Sequence, residues 1–151
     1  MLDNFLFSEN QDLTGVDSTG VTSTHYWDLE DDVTADQTVS GWLNVLFRAG
    51  NAGATEGLYV ELRADNATNL ASPSSVLAMF WLSDAELTAA AGQTISVGIK
   101  SGTPIVERYI GVWYRAHTTS LAGTATGVDA WISSVPEATR PIQTKPGAAI
   151  V

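Results

Sequence analysis

The sequence predicts an all-β protein, a two-sheet antiparallel sandwich or jelly roll with an extended C-terminal tail. Three observations lead there. Apolar and polar residues alternate with period two over several separate stretches. The connections between those stretches are rich in Gly, Ser, Thr and Asn. A helix start signal appears at one place only. Seven or eight short strands with such turns and almost no helix suit two packed sheets.

In chain order, a first strand is expected near "THYWDL". "WLNVLFR" then sets Leu43, Val45 and Phe47 opposite Asn44 and Arg48. "RAGNAGATEG" carries three glycines and an Asn and reads as a turn region. "GLYVELRAD" alternates cleanly, with Leu58, Val60, Leu62 and Ala64 on one face and Tyr59, Glu61, Arg63 and Asp65 on the other. "VLAMFWL" is apolar on both faces and reads as a central strand covered from both sides. In "SDAELTAAAG", Ser83 and Glu86 have capping-box spacing and Gly92 can end the turn, so a short helix is expected.

"TISVGI" alternates through Ile95, Val97 and Ile99. "RYIGVWYRA" sets Ile110, Val112, Tyr114 and Ala116 against Tyr109, Trp113 and Arg115. "VDAWIS" sets Val128, Ala130 and Ile132 against Asp129, Trp131 and Ser133. The aliphatic members of these last two strands, with Tyr114, are expected in the core. Tyr109, Trp113 and Trp131 are expected to cover the other face or to meet a sister subunit. Residues 1–135 form the expected domain. Residues 136–151, with three of the five prolines and no alternation, read as an extended arm.

Composition narrows the chemistry. A chain of 151 residues is the size of one domain and can bury roughly 70% of its unfolded surface. It has no Cys, which excludes disulfides, thiolate metal sites and a Cys nucleophile. "MLDNFLFSEN" lacks the basic start and long apolar core of a signal peptide. The longest apolar run has seven residues, against the roughly 20 of a membrane helix, so a soluble protein without membrane contact is expected. Net charge is −10, and residues 1–40 hold nine acids with no Lys or Arg. Such a surface repels phosphate backbones, so direct nucleic-acid binding is not expected.

Reactive constellations are sparse. His25 and His117 form no ligand pair, no nucleophile elbow occurs, and "GNAGATEG" leads into a strand, unlike a phosphate loop. The five acids from Asp28 to Asp36 lack EF-hand spacing and read first as a solvated loop, with a Ca²⁺ site as the alternative. Glu61 and Glu107 are the candidates for a two-carboxylate hydrolase, and Glu61 more simply pairs with an arginine. Trp113 and Trp131, on adjacent strands, would suit a sugar-stacking platform, a second core layer or a protein interface. No catalytic, metal or cofactor-binding residue is assigned.

Word order adds a further expectation. The chain opens with Phe7, Ser8, Gln11 and Thr14, followed by the strand end Asp28-Leu29. It closes with Arg108, Tyr109, Ile110, Val112, Trp113 and Tyr114, then Gly127, Ala130, Trp131 and Ile132. These blocks resemble the small jelly-roll cement (decoration) proteins of tailed-bacteriophage capsids, in which the aromatic strand pairs through a turn with the last strand. The resemblance covers about a third of the chain. It departs in a long tail and in Trp113, where Tyr is more usual. It implies a structural virion protein on the outside of an icosahedral shell, bound to the major capsid protein and stabilising capsomer junctions. It implies a homo-oligomer, dimer or trimer, with no reaction and no cofactor. It also places the protein's synthesis in the host cytoplasm.

On that reading the shell contacts expected are Leu2, Phe5, Leu6 and Phe7, the acidic Glu30, Asp31 and Asp32, and the tail residues Ile142, Ile150 and Val151. The equal alternative for the apolar start is a strand completing the chain's own sheet. The subunit contacts expected are Tyr109, Trp113 and Trp131. The competing reading is a carbohydrate-binding or adhesin-type β-sandwich module.

Overall fold

A computed structural model of the chain describes residues 5–30, 39–48, 56–73, 75–100, 105–121 and 127–138. The elements in order are β1 (Phe5–Asp12), β2 (Val21–Thr22), β3 (Trp27–Asp28), β4 (Trp42–Phe47), β5 (Leu58–Asp65), β6 (Ser75–Leu82), α1 (Asp84–Ala89), β7 (Thr94–Gly98), β8 (Tyr109–Ala116) and β9 (Gly127–Ser133). They form two antiparallel sheets packed as a sandwich. One has the order β1-β9-β4-β7. The other runs β2-β8-β5-β6, with β3 beside β2 on the same edge of β8.

Alternation decides which side chains meet between the sheets. Leu43, Val45 and Phe47 from β4, and Val128, Ala130 and Ile132 from β9, are at most 1% exposed. Leu58, Val60, Leu62 and Ala64 of β5 and Ile110, Val112 and Tyr114 of β8 are wholly buried against them. Each fully buried Leu, Val or Phe contributes roughly 1.5–3 kcal/mol, so this double layer is the main source of stability. The capping box of α1 forms as its spacing predicts. Ser83 Oγ accepts from Glu86 N, and the Glu86 carboxylate accepts from Ser83 N. Gly92 follows with φ +70°, a conformation natural to glycine.

Two expectations are corrected. "VLAMFWL" is not a central strand: β6 lies at the edge of its sheet, and its Val76 is exposed. Its outward side chains are covered in part by neighbours on β5 and by His117, which gives an edge strand the apolar pattern of a central one. The aromatic strand β8 and the last strand β9 are not paired either. They stand in opposite sheets, because the chain between them crosses the sandwich. That crossing is pinned where Leu121 N donates to Val16 O at 2.8 Å and Gly15 N to Leu121 O at 3.0 Å.

The apolar start completes the chain's own sheet, with β1 pairing β9 from Phe5↔Ile132 to Asp12↔Gly127. After β9 the chain turns back over the outer face of this sheet. Glu137 N donates to Asn44 Oδ1 on β4 at 3.0 Å and lies 3.1 Å from Ser96 Oγ on β7.

Candidate functional site

The outer face of the five-stranded sheet gathers most of the polar and aromatic side chains that point away from the core. Tyr59, Glu61 and Arg63 alternate outward from β5. The register sets Tyr59 between Trp81 of β6 and Arg115 of β8, Glu61 between Met79 and Trp113, and Arg63 opposite Gly111. Two arginines flank one carboxylate. Arg63 reaches Glu61 Oε2 at 2.6 Å, and Arg115 Nε lies 3.7 Å from Glu61 Oε1. Each guanidinium also lies over a ring, Arg63 at 4.5 Å from the Trp113 centroid and Arg115 at 4.0 Å from Tyr59. Glu61 and Arg63 are buried, so these charges are paired because burying either alone would be costly.

One end of this face is closed by loops. Gly111 has no side chain, and the space is taken by Leu70, Ser23 and Tyr26. Leu70 is fully buried there, and Arg63 Nη1 donates to its carbonyl at 2.7 Å. Gly20, at φ +80°, lies against the Trp113 indole, where a Cβ would collide with the ring. Trp113 is thereby 7% exposed.

The other end carries a group of rings. Tyr59, Trp81 and His117 form a ring cluster with centroids 5.7–6.2 Å apart. Tyr59 and Trp81 are half-buried and His117 is exposed. Adjacent to this cluster, Glu56 accepts from Thr118 Oγ1 at 2.6 Å, from Thr119 Oγ1 at 2.9 Å and N at 3.1 Å, and from Gly57 N at 3.1 Å. These donors, Thr118 first, hold its carboxyl down at about 2.

The sequence-derived candidates are distributed as follows. Phe7 is fully buried in the chain's own core, and Phe5 packs at 4.8 Å on Phe7 and 6.2 Å on Trp27. The wholly buried Phe7 side chain is therefore not an anchor for a neighbour, and Leu6, 38% exposed, is the outward residue of that start. Trp113 takes the first of its two expected roles and covers the outer face of its sheet, in a pocket of its own chain beneath Gly20 and Arg63. It also does not share a sheet with Trp131, so the two cannot form one stacking platform.

Trp131 is half-buried on the opposite sheet, between Leu6 and Asn44. Tyr109 is half-buried, edge-on to Tyr26 at 5.3 Å and under Arg108 at 5.0 Å. Glu30 is exposed, while Leu2, Asp31, Asp32, Ile142, Ile150 and Val151 lie outside the described residues.

The two glutamates do not form a pair. Glu61 points outward among its arginines. Glu107 is tied to Ser75 at 3.1 Å, and the register partner of Ser75 is the core-facing Ala64. A two-carboxylate hydrolase needs both acids facing one cleft. Asp28 is held by Arg108 through Oδ1 at 2.8 Å and Oδ2 at 3.0 Å, which lowers its pKa. Among the described residues no group of three or more His, Asp or Glu could hold a metal ion. No helix among them is long and apolar enough to cross a membrane.

Sequence reasoning missed the Tyr59–Trp81–His117 cluster and Glu56. The outward parity of Tyr59 was visible, but Trp81 was hidden in an apolar run and Glu56 in a Gly-rich turn. No protein-family model matches this chain, and no curated protein matches it.

Proposed function

We propose that this protein is a capsid cement (decoration) protein of a tailed bacteriophage, bound to the major capsid protein on the outside of the icosahedral shell. The observation that carries the reading is how the motif blocks of the resemblance meet in space. Ser8 of the opening block lies 2.8 Å from the hydroxyl of Tyr114 in the aromatic block. Asp28 and Leu29 join that same block, through the Arg108 ion pair and a 2.8 Å bond from Leu29 N to Arg108 O. Ala130 of the last block pairs with Ser8. Residues as far apart in the chain as Ser8 and Ala130 thus form one interlocked set, which supports the resemblance as a shared framework. The unpaired β8 and β9 are a further departure, beside the long tail and Trp113.

The role is mechanical, with no reaction and no cofactor. Many copies on a repeating shell give avidity, so each contact can be modest. Exposed Glu9, Asp12, Asp17, Asp28 and Glu30 give the chain an acidic side suited to basic patches of a capsid surface. Leu6 and Trp131 add an apolar element on the four-stranded sheet. The test is co-sedimentation with phage shells lacking this protein, at low and high salt. Saturation at a fixed copy ratio supports the cement role, and loss at high salt assigns docking to the acidic side. No pelleting under either condition overturns it.

The second reading is a carbohydrate-binding module, favoured by half-exposed Tyr59 and Trp81 beside Arg115 and Glu61. Their rings are tilted by 42°, so they offer no flat stacking platform. Retention on a glycan panel, abolished by Trp81→Ala, would select this reading over the first.

A further inference from the structure

We propose that the β6 edge binds a second copy of this chain, joining two five-stranded sheets edge to edge across a twofold axis. Leu82 O lies on the β5 side, against Gly57, whereas Leu77 O faces the opposite way and accepts from Lys100 N at 2.9 Å. Counted back from Leu82 through the regular part of the strand, period-two geometry turns the backbone N–H and C=O of Met79 and Trp81 outward, to the side that Leu77 O faces. Among the described residues, Leu77 O is the one β6 backbone group bonded on that side.

An exposed edge is usually protected by charge or proline. Ser75–Leu82 contains neither. The half-buried Met79 and Trp81 lie along this row, which no other described residue bonds, and continue into Tyr59 and His117.

Charge selects the occupant. The molecule carries −10, so most encounters between copies are repulsive. The acids of the first forty residues that the structure describes lie on β1, on β3 or in the loops around β2 and β3. Strands β2 and β3 lie on the far edge of the five-stranded sheet from β6. On the β6 side, Glu61 is matched by Arg63 and Arg115. At about 4.8 Å per strand, edge-to-edge pairing holds the two β2/β3 edges about 35 Å apart. That is several times the ~8 Å screening length of physiological salt. An antiparallel pairing is isologous, so one edge supplies both sides of the contact. It also leaves both acidic sides facing away from the axis.

This deepens the oligomeric part of the cement reading but can be separated from it. Sedimentation equilibrium of the full chain should give twice the chain mass, and the amides of Met79 and Trp81 should gain exchange protection as concentration rises. Met79→Lys sets like charges near the axis, and Met79→Pro removes an outward N–H that an edge strand can spare. Both should weaken the dimer at least tenfold while circular dichroism stays native, and Leu6→Lys on the other sheet should not. A monomer at all concentrations overturns the proposal. So do an unchanged dimer in both Met79 variants, and exchange at Met79 and Trp81 that ignores concentration. A dimer that fails to pellet with shells removes the cement reading alone, whereas a monomer that pellets removes this proposal alone.

Discussion

The hydroxyls of Ser8 and Tyr114 meet at 2.8 Å in the interior, one from each sheet. Ser8 donates its single proton to Gln11 Oε1 at 2.7 Å, so Tyr114 is the donor to Ser8. Gln11 then donates to Thr22 O and accepts from Thr24 N, which fastens the segment before β3 over the sandwich end. A buried polar chain of this kind is stable only while every member has its partner.

Tyr114→Phe should therefore cost about 1 kcal/mol at neutral pH, read as a fall in Tm of roughly 2–4 °C. The pH dependence carries a second signature. Burial raises the Tyr114 pKa far above its ordinary 10.0, with the Asp129 charge adding to it. A raised folded pKa means that the unfolded chain releases its proton first. Stability is then fully present below pH 10 and falls as pH rises above it. Urea titrations should show a shallower alkaline decline in Tyr114→Phe than in the wild type. Equal slopes would show that Tyr114 does not govern that limb.

Glu56 contributes to the acid limb. Its folded pKa is lowered from 4.5 to about 2, so its contribution is present above 4.5 and lost as pH falls towards 2. Glu56→Gln should lower stability at pH 7 and flatten the dependence between those values. It should also speed amide exchange at Thr119, whose N–H the carboxylate accepts. Parallel curves for the two proteins would remove Glu56 as the source.

Much of the sandwich was legible, and the failures share a cause. Period two reports which way a side chain points, so the core sets of β4, β5, β8 and β9 could be read directly. The same rule says nothing about which strand lies alongside. Hence an apolar strand was placed centrally when β6 is an edge, and β8 and β9 were placed together when they belong to different sheets. Local side-chain chemistry was legible where both partners sit close in sequence, as with Ser83 and Glu86. It was not where they are distant: Glu56 lies 62 residues from Thr118. Leu70 is fully buried on the outer face at φ +50° inside a polar loop, and only the missing side chain of Gly111 makes room for it.

Trp113 separates a packing role from an assembly role. Trp113→Ala empties the pocket under Gly20 and strips Arg63 of its ring, so a loss of about 3–5 kcal/mol is expected. Gly20→Ala should destabilise as well, since its φ of +80° and the indole both exclude a Cβ. Neither change should alter the oligomer dissociation constant of the molecules that remain folded. A native-like Trp113→Ala protein that had lost only self-association would return Trp113 to the interface.

Asn44 ties three strands to the chain that follows β9. It is fully buried, donates to Ser133 Oγ at 2.7 Å, and accepts from Ser96 Oγ at 2.5 Å and Glu137 N at 3.0 Å. Asn44→Ala leaves Ser96, Ser133 and the Glu137 amide to find new partners, at about 1–3 kcal/mol. Asn44→Asp keeps the shape and the acceptor but removes the donor to Ser133. The Glu137 amide should exchange fast in Asn44→Ala and remain protected in Asn44→Asp. If residues 134–138 help grip a shell, Asn44→Ala should also reduce pelleting at high salt while melting as a single cooperative unit. Protected exchange at Glu137 in Asn44→Ala would mean that the segment is held by other contacts and that the Asn44 carbonyl does not direct it.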